Sequence, residues 1–318
     1  MDVIETALRQ GRAADAVAAA QAGAAADDAD ALAVLAHWQM SGSLLPRDLP
    51  QARELLGRAA ALGNADAALI LIALTANGSG AAADWPAALG LLTRTAKIDR
   101  TAAAHLALLQ AMNADQRGLP AALGNPTMHS AEPHVELFER FLNPAECAHL
   151  AVTVQDILGP SQVADPRTGR LIAHPIRTSS AAPVSPTRES LPIQAILKRI
   201  ASATNTAVEQ GESLTVLHYA PGQQYREHVD TLPRVTNQRI GTFIIYLNEG
   251  YGGGQTRFPA LDLNISARLG DALFFSNVTP AGQPDPRSRH AGLPVTSGVK
   301  WIATRWIRQR PFDVWNPE

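Results

Sequence analysis

Cysteine is almost missing from this chain. Cys147 is the single example among 318 residues, so no disulfide can close within it, and a reducing compartment is expected. Charge is also sparse, at 18% of residues with a net charge of −2. Up to residue 117 there are 9 Lys and Arg against 12 Asp and Glu, and beyond it 18 against 17. Neither part has the basic surplus that gripping a phosphate backbone needs, so no nucleic-acid partner is expected. Long apolar runs are lacking too. No stretch reaches the roughly 18 apolar residues of a membrane span. Asp2, Glu5 and Arg9 fall where a signal peptide would need an apolar core. The expectation is a soluble, cytoplasmic protein with no membrane partner. Aromatics are only 5%, yet 46% of residues are apolar, which is enough for packed cores.

What is abundant is alanine, and it is arranged. "DLPQARELLGRAAALGNADAA" from Asp48 returns as "DWPAALGLLTRTAKIDRTAAA" from Asp84, an offset of 36 residues. Asp48/Asp84, Pro50/Pro86, Ala52/Ala88, Leu55/Leu91, Leu56/Leu92 and Arg58/Arg94 all match. Ala16 and Ala24 mark a weaker earlier copy. An aspartate with a proline two residues on suits a helix start. Small alanines let antiparallel helices approach closely, and each pair buries its apolar face on the next. The pattern resembles short tetratricopeptide-like (Sel-type) repeats over about residues 13–110. That resemblance implies a partner-holding surface; the plainer alternative is a structural cap on the second domain.

The expected domains are residues 1–117 for the helical repeats, 118–132 for a Gly- and Pro-containing linker, and 133–318 for a second domain. In the last, "NPAECAHL" reads as a helix start with Asn143 as cap, Pro144 in the first turn and Glu146 closing a capping box. Cys147 there reads as a small buried apolar residue. "SLPIQAILKRIASATN" reads as a second helix. Short β-branched and aromatic runs come next: "SLTVLHYA", "RIGTFIIYLNE", "TRFPALDLNISAR", "DALFFSN" and "KWIATRWIRQ". Turns separate them, which predicts a sandwich or barrel with helices outside. Gly252-Gly253-Gly254 is no phosphate loop, since neither a Lys-Ser/Thr pair nor a helix comes after it.

One stretch carries chemistry. In "QQYREHVD", His228 and Asp230 are two apart and share a strand face. Downstream lie His290 and, ten residues later, Lys300. Two histidines and one carboxylate on one face of an octahedral ion leave three positions open, the ligand set of non-haem Fe(II) oxygenases. A dicarboxylate chelating iron at one end needs a cation at the other. Lys300 shares its strand face with Ile302, Thr304 and Trp306, and so can reach the same cavity. A zinc hydrolase would use similar ligands but has no need of Lys300. His218 alternates away from Tyr219 and reads as structural. His134 and His174 lack a partner at ligand spacing.

Residues 134–310 resemble the catalytic domain of the prolyl 4-hydroxylases, in the Fe(II)/2-oxoglutarate dioxygenase superfamily. The resemblance rests on "FERFLNPAECAHL", "IRTSS", "LTVLHYAPGQQYREHVD", "RIGTFIIYLNEGYGGGQTRFP", "GDALFFSN" and "RHAGLPVTSGVKWIATRWI". It implies an α+β chain: all-α repeats followed by a double-stranded β-helix (jelly-roll) oxygenase domain with flanking helices. It implies His228, Asp230 and His290 as Fe(II) ligands, and Lys300 on the far carboxylate of 2-oxoglutarate. Tyr219, Tyr246 and Thr256 would be further hydrogen-bond donors there. O2 would be the second co-substrate and ascorbate the reductant. Tyr225, Arg239 and Trp306 would hold a target proline, although plain alternation sets Arg239 on the face opposite Thr242 and Tyr246. The implied reaction hydroxylates a peptidyl proline of a cytoplasmic protein recruited by the repeats. The alternatives are a non-prolyl substrate, or a repeat scaffold carrying an oxygen-sensing module.

Overall fold

The computed structural model describes residues 2–112, 114–115, 117–119, 124–164, 171–173 and 175–316. Seven helices come first among them: α1 Asp2–Arg9, α2 Ala13–Ala25, α3 Ala29–Ser41, α4 Leu49–Ala61, α5 Ala65–Asn77, α6 Trp85–Thr95 and α7 Arg100–Ala111. Their ends keep to the 36-residue period. The carboxylates of Asp48 and Asp84 accept from the amides of Gln51 (3.0 Å) and Ala87 (2.9 Å). Such caps are worth about 1 kcal/mol each. Gly42 and Gly78 close α3 and α5 in the left-handed region, at φ 71° and 78°, where a side chain would be strained. Ala16, Ala52 and Ala88 are fully buried on successive first helices, so α2 and α3 form the weaker earlier copy.

Two further helices follow in the chain, α8 Pro144–Thr153 and α9 Leu191–Thr204. Asn143 and Glu146 form the expected capping box on α8. Cys147 is buried, and burial, with Glu146 beside it, pushes its thiol up to about 12, so it is inert.

The early strands are β1 Thr127–Ala131, β2 His134–Phe138, β3 Gly159–Pro160, β4 Gln162–Ala164, β5 Leu171–Ala173 and β6 Ser180–Pro183. The later ones are β7 Thr215–Tyr219, β8 Tyr225–His228, β9 Arg239–Tyr246, β10 Gly252–Gly253 and β11 Thr256–Phe258. After these come β12 Leu263–Ile265, β13 Ala272–Ser276, β14 His290–Gly292, β15 Val295–Ser297 and β16 Lys300–Arg308. One antiparallel sheet has the order β1-β2-β13-β9-β16-β7-β6-β3; a second has β12-β11-β14-β8. From β7 to β16 the chain passes back and forth between the two sheets, which is the jelly-roll connection. Leu217, Ile244 and Phe275 from the first sheet meet Phe258 and Ile265 from the second. Phe258 and Phe275 pack edge to face at 5.0 Å. Each such side chain contributes about 1.5–3 kcal/mol of burial.

The chain divides into two compact units. One takes Met1–Ala121 together with Pro186–Ile196; the other takes Ala122–Ser185 and Leu197–Glu318. Two features depart from the sequence reading. Strand β1 lies inside the stretch 118–132 offered as a linker, because a hairpin with β2 satisfies its backbone. Residues 186–196 join the helices rather than the strands. There Asn77 Nδ2 donates to the Pro186 carbonyl (2.9 Å) and to Glu189 Oε2 (3.0 Å), and Gln194 Nε2 reaches the same Glu189 oxygen.

Arg305 on β16 shows what holds the strand unit. Its guanidinium is buried and donates to the carbonyls of Glu212, Leu197 and Val208. It fits because Gly211 has no Cβ: one there would stand 2.0 Å from Nε. Gly211→Ala is therefore expected to cost about 1–3 kcal/mol through overpacking, read as a lower denaturant midpoint at unchanged slope. An unchanged midpoint would mean that the guanidinium can swing aside freely.

Candidate active site

Strands β8 and β14 are neighbours in the smaller sheet, and their register sets His228 directly opposite His290. Asp230 comes two residues after His228. His228 Nε2 stands 3.5 Å from Asp230 Oδ1, and His290 Nε2 stands 3.7 Å from Asp230 Oδ2. The ligand atoms of the three residues lie within 4.8 Å of one another, and all three are buried.

The imidazoles are prepared as ligands. His228 Nδ1 lies 2.8 Å from the Arg226 carbonyl, and His290 Nδ1 lies 3.0 Å from the Ser288 carbonyl. A carbonyl only accepts, so each Nδ1 carries a proton and each Nε2 is turned toward the centre, where it can bind a metal. Burial, aided by the neighbouring His228, pushes the His290 imidazole down to about 4, against the pull of Asp230. The Asp230 carboxyl is held well below the ordinary range: burial opposes this, but His290, His228 and the Thr242 hydroxyl outweigh it. Two imidazole nitrogens and one carboxylate converge in a buried pocket. That donor set fits a divalent ion with open positions.

Most of the other predicted residues line the same cavity, while Tyr246 and Arg239 lie behind its wall. Tyr219, Tyr225, Thr256, Lys300 and Trp306 line it with the triad, joined by Leu217, Thr242, Ile244, Ile302 and Thr304. Lys300, Ile302, Thr304 and Trp306 thus share one face of β16, as alternation requires. Lys300 pairs in register with Tyr219. It is 3% exposed, and burial lowers its ammonium to about 8. Nζ donates to the Gly254 carbonyl at 2.5 Å and faces the rings of Tyr219, Tyr246 and Tyr251 at 5.4–5.9 Å. Tyr246 and Thr256 share a hydrogen bond of 2.8 Å between their hydroxyls.

Two bulges place residues where alternation would not. Between β8 and β14 the register slips, so Tyr225, three residues before His228, stacks on its ring at 3.5 Å. Between β9 and β16 it slips again, with Ile307 opposite Gly241 and Arg308 opposite Arg239. This corrects the expectation for Arg239. The extra residue turns it onto the Trp306 face, with its guanidinium carbon 4.2 Å from the Trp306 ring centroid. The Glu212 carboxylate holds it there through bonds of 2.6 and 2.7 Å.

Sequence reasoning gave no role to Arg177, Thr242 or Tyr251. Alternation along β9 already set Thr242 on the inward face with Ile244 and Tyr246. Arg177 lies in the stretch "IRTSS" that carries the resemblance but was given no role there; a lone bridge to Tyr225 brings it in. The residues expected not to be ligands lie elsewhere. His134 pairs with Glu136 at 3.1 Å, and His218 packs edge-on against Trp301. His174 lies outside the described residues.

Comparison with known proteins gives this geometry a family. The model of the 2OG-Fe(II) oxygenase superfamily matches residues 214–308. Prolyl 4-hydroxylase 1 of Arabidopsis thaliana is 36% identical over 209 residues, covering 59% of this chain and 74% of the relative. A viral collagen prolyl hydroxylase from Paramecium Bursaria Chlorella virus-1, solved as its 2OG complex, is 30% identical with a TM-score of 0.45. It covers 55% of this chain and 95% of its own. A prolyl hydroxylase from Trichoplax adhaerens, solved with a hypoxia inducible factor peptide fragment, is 18% identical with a TM-score of 0.43. Here 54% of this chain and 82% of that one are covered. Fe(II) is the metal of the His228, Asp230 and His290 site, and 2-oxoglutarate is the co-substrate. With a relative 36% identical and matched over 74% of its length, the chain belongs to the prolyl 4-hydroxylase family of 2OG-Fe(II) dioxygenases.

Proposed function

We propose that this enzyme hydroxylates a prolyl side chain in a cytoplasmic protein. In this reading residues 1–117 are Sel-type repeats that recruit the target, and residues 133–318 modify it. Iron bound at the triad, with 2-oxoglutarate and O2, supplies the oxygen chemistry, which yields succinate, CO2 and a hydroxylated C–H carbon. Ascorbate is the reductant that keeps the iron ferrous. The protein's part is to bind, orient and dry the site. Lys300 pairs with the far carboxylate of 2-oxoglutarate, and Tyr219, Tyr246 and Thr256 offer hydroxyls around it.

The observation that carries the substrate reading is Trp306. It lines the metal cavity beneath Arg239, and its buried Nε1–H has no acceptor among the described residues. A buried donor left unmet costs about 1–3 kcal/mol, and a peptide carbonyl entering the cavity would meet it. Tyr225, Arg239 and Trp306 then form the walls around the proline ring.

The test is incubation of proline peptides and host lysate with enzyme, Fe(II) and 2-oxoglutarate, followed by mass spectrometry. A gain of one oxygen on proline is expected; oxygen on another residue type would move the substrate class. Trp306→Ala and Tyr225→Ala are expected to uncouple the enzyme. 2-Oxoglutarate would still turn over slowly to succinate while peptide hydroxylation fell at least tenfold, about 1.4 kcal/mol of lost substrate positioning. Wild-type hydroxylation by both variants would remove these residues from the proline site.

A further inference from the structure

Asp230 is held by more than the two imidazoles. Its Oδ2 accepts from Thr242 Oγ1 at 2.6 Å, the short distance of a hydroxyl donating to a carboxylate. A carboxylate only accepts, so the single Thr242 proton points at Asp230. The lone pairs left on Thr242 Oγ1 then need a donor. Asn277 Nδ2 supplies one at 2.9 Å. Asn277, one residue past the end of β13, is 0% exposed. Its Oδ1 has no hydrogen-bond partner among the described residues. An apolar side chain of similar size would avoid that unmet oxygen, so the fold tolerates an amide here for the sake of its Nδ2.

The backbone of Asn277 reaches the second ligand strand as well. Its carbonyl accepts from the Asp285 amide at 3.0 Å. The Asp285 carbonyl accepts from Ser288 Oγ at 2.7 Å, and the Ser288 carbonyl takes His290 Nδ1 at 3.0 Å. One residue therefore stands behind two of the three ligands.

We propose that Asn277 is a positioning residue for the metal site, acting through Thr242 on the Asp230 carboxylate. The proposal rests on Asp230 being an iron ligand. Asn277 does not line the metal cavity. It orients the Thr242 hydroxyl, and the hydroxyl fixes the plane of the carboxylate that the metal meets. Without the amide, Thr242 could turn about its Cα–Cβ bond, and the carboxylate would lose its fixed orientation.

The experiment uses full-length protein stripped of metal and titrated anaerobically with Co(II), read by the visible d–d absorption of the bound ion. Thr242→Val keeps the shape and removes the hydroxyl; it is expected to weaken Co(II) binding about 10–100-fold, the usual cost of losing an outer partner of a ligand. Thr242→Ser restores the hydroxyl and is expected to recover most of the loss. Asn277→Ala is expected to weaken binding in the same direction. The double variant Thr242→Val/Asn277→Ala should bind no worse than Thr242→Val alone, because the route is already cut at Thr242. If Asn277→Ala does not fold, Asn277→Leu keeps the volume, removes the donor and should give the same loss. Two results would overturn the proposal: additive losses in the double variant, or wild-type Co(II) affinity in Thr242→Val and the Asn277 variant. A purely structural role would lower the melting temperature and leave the affinity of the folded protein unchanged, which is the second of these. His290→Ala serves as the control on the site itself: wild-type Co(II) binding there would sink the triad assignment, whereas its loss beside an unaffected Thr242→Val would sink only the relay.

Discussion

His290→Ala is expected to abolish the visible charge-transfer band that forms when Fe(II) and 2-oxoglutarate are added to the protein without oxygen. The band reports a keto acid chelated to ferrous iron, so it needs both the metal and its open positions. His290 supplies one of three protein ligands, and His228 Nε2 and Asp230 cannot replace it from where they stand. Outer partners of a ligand cost about 10–100-fold in metal affinity; losing the ligand itself should exceed that, at roughly 3 kcal/mol or more. His228→Ala should behave alike. The proof lies in an anaerobic titration read by absorbance. A wild-type protein with no band and no iron affinity would end the triad reading, and so would a band of full strength in His290→Ala.

Lys300→Ala is expected to raise the 2-oxoglutarate requirement about 10–100-fold while leaving iron affinity near that of the wild type. The physical basis is a charge-assisted hydrogen bond in a buried place, worth about 1.5–3 kcal/mol. Without the ammonium, the far carboxylate of the co-substrate would sit against three tyrosine rings and one carbonyl. The next cation along the strand, Arg305, cannot substitute, since its guanidinium is committed to the Glu212, Leu197 and Val208 carbonyls. A pH dependence accompanies this. Burial lowers the Lys300 ammonium to about 8, so the charge is present below that pH and is lost as pH rises through it. In the free enzyme, 2-oxoglutarate binding should weaken over that range, and Lys300→Ala should show no such fall. The apparent KM for 2-oxoglutarate against pH, in both proteins, measures it. An unchanged KM in the variant would place the anchor elsewhere.

Much of this was legible in the residues because it depends on period. The 36-residue repeat located helix caps, and alternation put Lys300, Ile302, Thr304 and Trp306 on one face. The triad was legible because His228, Asp230 and His290 are residue types that a strand rarely brings together without a use. What escaped lies where the period breaks. A bulge carries no residue signature here, so the slips that swing Tyr225 onto His228 and Arg239 onto Trp306 could not be read in advance. Long-range hydrogen bonds were equally silent. Thr242 and Asn277 meet from positions 35 apart, and neither stands out as a letter in its own stretch of chain.

The grouping of Pro186–Ile196 with the helices has a consequence for how the gene can be rearranged. The polypeptide passes between its two units three times, out after the helices, back for one short insert, and out again. A single cut near residue 117 therefore does not separate two intact modules. It strands the insert, removing the Asn77 amide from the Pro186 carbonyl and the Glu189 carboxylate. The helical unit is built from two non-adjacent pieces of chain, and transplanting it onto a foreign partner would require carrying both.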